Sequence, residues 1–267
     1  MLHIVNTDFN GISLLRESYL NSLPESQECF IELLVESGTY YNIFIGETVV
    51  GYAISSIDDI LGKVGENVLV EFYLKDELLS RCDEVFALVI KKLSIVKVYC
   101  KSFDCLMLNC CLMQQMQYEV FGRMFRKILP SEKFHTDSRY DVRLAQMSDY
   151  NFLLQQKGGL YETPKELEDL IGKKTVTMFI GHGQLVGCGY SIPVLPNGNY
   201  YDIGMWTNPE FRNTGVATYI ISYLKDECIS NNKIPVCGCA VDNIASMKTL
   251  EKNGFVSKYK LIKFTKK

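Results

Sequence analysis

The residues best suited to chemistry lie in one short stretch, RNTGVA at 212–217, directly before a segment whose apolar residues have helical spacing. The first amides of a helix have no partner inside the helix, and that end carries a partial positive charge. Gly215 and Ala217 leave the backbone open to a ligand, and Arg212 adds charge. The stretch therefore predicts a site for an anionic group such as a diphosphate. The alternative is an ordinary helix cap, in which Gly215 supplies only backbone freedom.

The segments on either side must position this stretch. Alternating apolar residues predict a strand over NYYDIGMWT (199–207), and helical spacing predicts a helix over GVATYIISYLKDEC (215–228). A further strand, IPVCGCAV (234–241), precedes a helix over NIASMKTLEKN (243–253), which Gly254 closes. The anion site would thus lie between two strands, at the N-terminal end of a helix, which we call the mouth of the helix.

Two local signals predict structural elements that precede this region in the chain. Thr163 and Glu166, with Pro164 between them, form the pattern of a capping box at a helix start. The residues Gly181-His182-Gly183 predict a tight turn between two strands.

The first half of the chain repeats this order of elements. The segment at 40–55, YYNIFIGETVVGYAIS, matches VTMFIGHGQLVGCGYSI at 176–192. NVLVEFYL at 67–74 corresponds to NYYDIGMW at 199–206, and DEVFALVIKKL at 83–93 stands in the place of the helix after Gly215. We interpret this order as an internal duplication.

The second half resembles the acetyl-CoA site of the GNAT acetyltransferase superfamily. The family pattern Arg/Gln-x-x-Gly-x-Gly/Ala is matched by Arg212, Gly215 and Ala217, shortly after Pro209. The first half resembles the same fold with its motifs eroded. A second family marker in the second half is formed by Asn243, Ser246, Lys252, Gly254 and Phe255.

The resemblance implies an α/β protein of the mixed-sheet (α+β) type. We expect two tandem GNAT-like domains, each a twisted mixed β-sheet flanked by helices. The degenerate domain is predicted at residues 1–130 and the acetyl-CoA-binding domain at 139–267, joined by the polar segment 130–143.

The resemblance also implies how acetyl-CoA binds. Two strands, ending near Thr207 and Ala240, splay apart to admit the pantetheine arm, and backbone N–H groups of the helix mouth hold the diphosphate. The first half has no glycine at this place but has Asp83 and Glu84, whose charge repels phosphate, so a single site is expected. The expected cofactor-binding residues are Met205, Trp206, Thr207, Arg212, Asn213, Thr214, Gly215, Val216, Ala217 and Asn243.

Acetyl transfer to an amine requires a base for the amine and a proton or a solvating group for the leaving thiolate. Asp202, on the strand leading into the site, is the candidate base; the alternative is a structural carboxylate held by a cation. Many family members carry a tyrosine acid where this chain has Leu250. Ser246 is the candidate to assist the thiolate, or else a hydroxyl bonded to its own helix backbone.

Composition narrows the classes of function. The net charge of −3 argues against a nucleic-acid partner, and no apolar run is long enough to span a membrane. Cys237 and Cys239 have no second pair at zinc spacing, so no metal is expected. Ten cysteines within apolar segments favour a reducing compartment, and we expect a cytoplasmic monomer or homodimer.

These observations predict an acetyl-CoA-dependent N-acetyltransferase. Its acceptor is expected to be a primary amine of a small molecule, acetylated by direct transfer in a ternary complex. The alternatives are a non-catalytic acyl-CoA-binding sensor or scaffold, and a protein N-acetyltransferase.

Overall fold

The chain folds into two compact units, one of Met1–Arg123 with Tyr259–Lys267 and one of Met124–Lys258. Each unit carries helices on a mixed sheet, which confirms the predicted fold class. The computed structural model describes residues 1–58, 65–134, 139–156, 161 and 163–266.

The first unit is built on a sheet that contains the last strand of the chain. Its helices are α1 (Phe9–Ser22), α2 (Cys29–Glu36), α3 (Cys82–Lys92) and α4 (Cys105–Met113). Its strands, numbered along the whole chain, are β1 (Leu2–Thr7), β2 (Thr39–Ile45), β3 (Thr48–Asp58), β4 (Glu66–Leu74), β5 (Lys97–Lys101), most of β6 (Gln117–Phe125), and β14 (Tyr259–Thr265). The strand order is β1-β2-β3-β4-β5-β14-β6. Strands β4 and β5 are parallel, whereas β14 pairs antiparallel with β5.

The second unit repeats this plan. Its helices are α5 (Tyr150–Leu154), α6 (Pro164–Gly172), α7 (Val216–Ser230) and α8 (Ile244–Lys252). Its sheet consists of β8 (Asp141–Leu144), β9 (Val176–Gly181), β10 (Gln184–Pro193), β11 (Tyr200–Thr207) and β12 (Ile234–Ala240), in the order β12-β11-β10-β9-β8. A separate two-stranded sheet is formed by β7 (Lys127–Ile128) and β13 (Phe255–Val256).

Helix α7 lies very close to the second sheet. A Cβ atom added at Gly187 or Gly189 would come within 2.7 Å of side-chain carbons of Ile220 or Leu224 on α7. The two glycines of β10 therefore allow the helix to approach the strand backbone, where larger residues would push it away. This contact sets the distance between α7 and the sheet. The same sheet contains β11, the strand that leads into the predicted site.

The local signals of the sequence are confirmed. Thr163 caps α6 in a capping box with Glu166, and residues 181–183 turn between β9 and β10, with a φ of 74° at Gly183. Gly254 follows the end of α8 with a φ of 84°.

The division into compact units differs from the domain boundaries expected at 1–130 and 139–267. Residues Tyr259–Lys267 belong to the first unit because Leu261–Thr265 of β14 pair with β5. Pairing between strands that are distant in sequence leaves no local signal, so order along the chain assigned this strand to the second half. Part of the expected join, residues 135–138, lies outside the described residues.

Candidate functional site

The mouth of helix α7 is open at Gly215. This residue is the N-cap of α7 and has a φ of 90°, in the left-handed region that favours glycine. A Cβ atom added there would meet no other atom within 4 Å. The hydroxyl of Thr214 donates to the carbonyl oxygen of Phe211 at 2.6 Å and closes the preceding turn. The stretch at 212–217 therefore presents bare backbone to the space in front of the helix.

The first amides of α7 are available to a ligand. Within the described ranges, the backbone N–H groups of Gly215, Val216, Ala217 and Thr218 have no acceptor in the protein. The first amide with a backbone acceptor is that of Tyr219, which donates to the carbonyl oxygen of Gly215 at 3.0 Å. Several donors and the positive end of a 15-residue helix thus converge on one place.

A cavity of about 570 Å³ lies at this helix mouth. Among the described residues of its wall, Lys133, Arg139 and Lys252 bring three positive charges, against one carboxylate, that of Glu132. Lys133 also forms an ion pair of 3.4 Å with Asp226. The remaining lining residues are Phe134, Gly215, Thr218 and Tyr219.

These three cations were not among the residues predicted for the site. Lys133 and Arg139 belong to the segment that was interpreted only as a join, and Lys252 was used only as a family marker. Their basic character was visible, but the approach of residues 133 and 252 to the same helix end depends on tertiary structure.

Buried hydrogen bonds anchor the wall of the cavity to α7. The ammonium group of Lys225, which is 5% exposed, donates to Ser131 Oγ and to the Asn253 carbonyl oxygen, both at 2.9 Å. The backbone N–H of Phe134 donates to Ser222 Oγ at 3.2 Å. Burial lowers the pKa of Lys225, which is the cost of holding a cation inside the fold.

Strands β11 and β12 are paired along only part of their length. The parallel register runs from Tyr200 opposite Ile234 to Asp202 opposite Val236, and no later residues of the two strands pair. Met205, Trp206 and Thr207 pair with β10 on one side but not with β12 on the other. A strand edge without a partner offers backbone groups to a ligand. The buried guanidinium of Arg126 donates to the carbonyl oxygen of Cys237 at 3.0 Å; this residue of β12 directly follows Val236, the last residue paired with β11.

The two faces of β11 carry different residues. Because side chains alternate along a strand, Asp202, Gly204 and Trp206 share one face. Trp206 is 4% exposed and packs in a cluster with Leu167 and Ile171 of α6, so this face is opposite to α7. Asp202 is half-buried on this face.

On this face, Gly204 leaves open space near Asp202, and Tyr190 lies beside it. Tyr190 of β10 lies directly opposite Gly204, and a Cβ atom added at Gly204 would contact its ring at 3.8 Å. Burial raises the pKa of Tyr190, so its hydroxyl stays protonated. The indole Nε1 of Trp206 has no hydrogen-bond partner among the described residues.

Helix α8 contributes the second predicted motif. Asn243 is its N-cap, and its side-chain oxygen accepts a hydrogen bond from the Ser246 amide at 3.0 Å. Asn243 is exposed, which leaves its side-chain NH₂ group available, and Ser246 is half-buried. Leu250, at the place where relatives carry tyrosine, is 2% exposed within the α7 core cluster.

The structure brings the predicted cofactor residues onto neighbouring elements. Residues 212–217 lead into and begin α7, which packs on both β11 and α8. Residues 205–207 lie at the end of β11, and Asn243 begins α8. The two candidate catalytic residues lie on separate elements, Asp202 on β11 and Ser246 on α8.

Known protein families match both halves of the chain. Residues 8–128 match the model described as "Acetyltransferase (GNAT) domain", and residues 133–255 match the "Acetyltransferase (GNAT) family". The chain therefore belongs to the GNAT acetyltransferases and carries two such domains in tandem. Both domains thus match models of acyltransferase enzymes. No curated protein sequence matches the chain.

Solved structures are similar over nearly the whole chain. A GNAT-family acetyltransferase from Colwellia psychrerythraea has a TM-score of 0.84 and 17% identity, covering 99% of this chain and 100% of its own. A tandem GNAT protein from the clavulanic acid biosynthesis pathway has a TM-score of 0.67 and 10% identity, covering 99% and 98%. A GCN5-related N-acetyltransferase from Sphaerobacter thermophilus has a TM-score of 0.66 and 9% identity, covering 99% and 95%. At these identities the likeness concerns the fold. Every helix in the described ranges is too short or too polar to span a bilayer.

Proposed function

We propose that the second unit binds acetyl-CoA and transfers its acetyl group to the primary amine of a small molecule, within a ternary complex. The observation that carries this proposal is the open N-terminus of α7, where unpartnered amides meet a cavity with three cations. An ordinary helix cap needs neither the cavity nor the cations.

The charge and shape of this place fit the nucleotide end of acetyl-CoA. The amides of 215–218 would hold the diphosphate, because donors at a helix N-terminus favour anions. Arg212, Lys133, Arg139 and Lys252 would balance the remaining phosphate charge. The cavity of about 570 Å³ is in the range of small-molecule sites.

The pantetheine arm would follow the unpaired edge of β11. Backbone groups of Met205, Trp206 and Thr207 would pair with its amides as an added strand would. The free NH₂ group of Asn243 would donate to a pantetheine carbonyl. Bound acetyl-CoA supplies an activated thioester at the end of this track.

Two side chains would move the protons. Asp202 would accept a proton from the acceptor ammonium, which leaves a neutral amine to attack the thioester carbonyl carbon. A C–N bond forms, the C–S bond breaks, and the departing thiolate takes a proton. Ser246 would hold the water that supplies it, since Leu250 has no proton to give.

A cytoplasmic protein, monomeric or homodimeric, fits these features. All ten cysteines are free thiols, as a reducing compartment maintains them. The net charge of −3 supports a small-molecule amine acceptor over nucleic acid or an anionic membrane surface.

A second candidate is a non-catalytic acyl-CoA sensor. It is favoured by Leu250, which is buried in the α7 cluster and cannot act as an acid. The two functions differ in one measurable respect. An enzyme releases free CoA thiol in proportion to an acetylated amine from a panel of small amines, whereas a sensor binds acetyl-CoA and releases none.

The cofactor site is tested by Gly215→Glu. The new carboxylate would lie where phosphate binds, and charge-assisted bonds to the amides contribute on the order of 1.5–3 kcal/mol each, so affinity should fall at least several-fold. Gly183→Glu is the matched control, because Gly183 also has a positive φ of 74° and open space around it. Calorimetry should show weak acetyl-CoA binding by the first variant only. Equal affinity in both folded variants would defeat the proposal.

A further inference from the structure

A cluster of metal-ligand side chains lies at the mouth of α3 in the first unit. Cys82 is the first residue of α3, Asp83 follows it, and Cys110 lies on α4. Their two sulfur atoms and one carboxylate oxygen are all within 4.8 Å of one another. The Cys82 sulfur is 3.9 Å from Asp83 Oδ1 and lies within 4.8 Å of the Cys110 sulfur.

The mouth of α3 has the opposite character to the mouth of α7. A 3₁₀ helix, Asp76–Arg81, runs directly into α3, with no left-handed glycine to expose the amides. Arg81, the residue directly before Cys82, is already paired with Glu84 at 2.8 Å. Among the described residues, the Asp83 carboxylate has no ion-pair partner. This end of the helix therefore repels phosphate and attracts a cation.

We propose that Cys82, Asp83 and Cys110 bind a divalent cation of the Zn²⁺ type, with a fourth coordination position open to water. Two thiolates and one carboxylate are ligands that Zn²⁺ accepts, and three protein ligands leave a tetrahedral site open. The proposal concerns the first unit and does not depend on the proposed function of the second.

The geometry needs only a small adjustment. A Zn–S bond of about 2.3 Å places two sulfur atoms of a tetrahedral site about 3.8 Å apart. The present separations, within 4.8 Å, exceed this by no more than about 1 Å. Rotation of the half-buried Cys82 and Asp83 side chains toward the buried Cys110 would supply this contraction.

The charges also suit a divalent cation. The deprotonated ligands carry three negative charges, of which the cation neutralises two. The positive end of the 11-residue helix α3 offsets the remainder, since it stabilises anions at Cys82 and Asp83. Bound in this way, the cation would connect α3 to α4. The first unit would thus hold a cation at the place in the fold where the second unit is open to an anion.

Sequence spacing could not reveal this cluster. Cys82 and Cys110 belong to different helices, and only their packing brings the sulfur atoms together. A disulfide between the two thiols is the competing outcome, and the carboxylate beside them distinguishes the two. It serves as a ligand to a cation but has no part in a disulfide.

The test uses Co²⁺ as a spectroscopic probe of the reduced, chelator-treated full chain. We expect one equivalent of Co²⁺ to produce a thiolate-to-metal charge-transfer band that Zn²⁺ then removes, and Zn²⁺ to raise the Tm. Cys82→Ser and Cys110→Ser should each abolish the band, and Asp83→Asn should weaken Co²⁺ binding. Cys105→Ser, which removes an exposed thiol of the same helix α4, is the matched control and should change nothing.

Three results would overturn the proposal. The first is no charge-transfer band in the intact chain. The second is a band that persists in both Cys82→Ser and Cys110→Ser. The third is formation of a Cys82–Cys110 disulfide, seen by mass spectrometry, in a chain that binds no Co²⁺ when reduced. If Cys110→Ser does not fold, the half-buried Cys82 and Asp83 still provide two variants that decide the matter.

Discussion

Whether the Asp202 carboxylate can act on an acceptor depends on which face of β11 carries it. The residue shares its face of β11 with Gly204 and Trp206, opposite to α7, and Gly204 leaves space beside the ring of Tyr190. An acceptor amine bound on this face would meet the carboxylate, while the nucleotide would lie at the α7 mouth. The sequence indicated the residue but not its face, because a shift of one residue in register would reverse it.

Asp202→Asn should lower turnover by about 10²–10⁴-fold at neutral pH, the usual size of a lost general base. The rate should recover at high pH, where free amine is already present, and acetyl-CoA affinity should barely change. Steady-state kinetics across pH with a small amine acceptor measure both effects. Asp141→Asn, on the exposed edge strand β8, is the control. A lower Tm with a pH profile of unchanged shape would make Asp202 a structural residue.

At the level of elements, α7 works together with the chain segment that runs along it. Lys225 and Ser222 of α7 hold Ser131 and Phe134, and the residues between these two, Glu132 and Lys133, line the cavity. The helix thus fixes both its own open end and part of the wall that faces a ligand.

Lys225→Met should therefore loosen the wall as well as lower stability. The apolar chain fills similar volume but removes the ammonium donor to Ser131 Oγ and to the buried Asn253 carbonyl oxygen, which keeps, among the described residues, only its hydrogen bond from Ser131 Oγ. The expected cost is about 1–3 kcal/mol. Denaturant unfolding measures this loss, and acetyl-CoA affinity should fall in the same variant. Lys248→Met, at an exposed position of α8, should leave both unchanged. Undiminished stability in Lys225→Met would show that the buried hydrogen bonds contribute little.

Whether the sequence predicts a structural feature depends on how far apart in the chain the residues that form it are. The capping box at Thr163 and the turn at Gly183 are set by adjacent residues, and both were predicted. The open cap at Gly215 was predicted for the same reason. The pairing of β14 with β5 and the approach of Arg139 to the α7 mouth depend on residues far apart in the chain, and neither was predicted.

At the level of the whole molecule, the first unit contains a network of buried charged side chains. In the first unit, Arg16 donates to Glu32 at 2.6 Å and to Glu71 at 2.9 Å, and all three are buried. One guanidinium thus serves two carboxylates. Burial raises the pKa of Glu32 from 4.5 to about 7; the Arg16 charge opposes this shift and the Glu71 charge adds to it.

This network makes the stability of the first unit depend on pH. A carboxyl whose pKa is raised on folding contributes stability below its unfolded pKa of 4.5, and this contribution is lost as pH rises toward about 7. Glu32→Gln keeps the acceptor oxygen without the charge. Its unfolding free energy should exceed that of the wild type by an amount that grows over this window to on the order of 1–3 kcal/mol. Denaturant titrations at several pH values measure the difference, and a constant difference would contradict the assigned pKa shift.

The number of acetyl-CoA molecules bound per chain tests the central claim most directly. The open amides and three cations at α7, against the carboxylates at α3, lead us to expect binding in the second unit alone. Calorimetric titration of the full chain with acetyl-CoA should therefore give one molecule per chain, and Gly215→Glu should remove it. Two molecules per chain at saturation, or one whose affinity is unchanged in Gly215→Glu, would contradict the account.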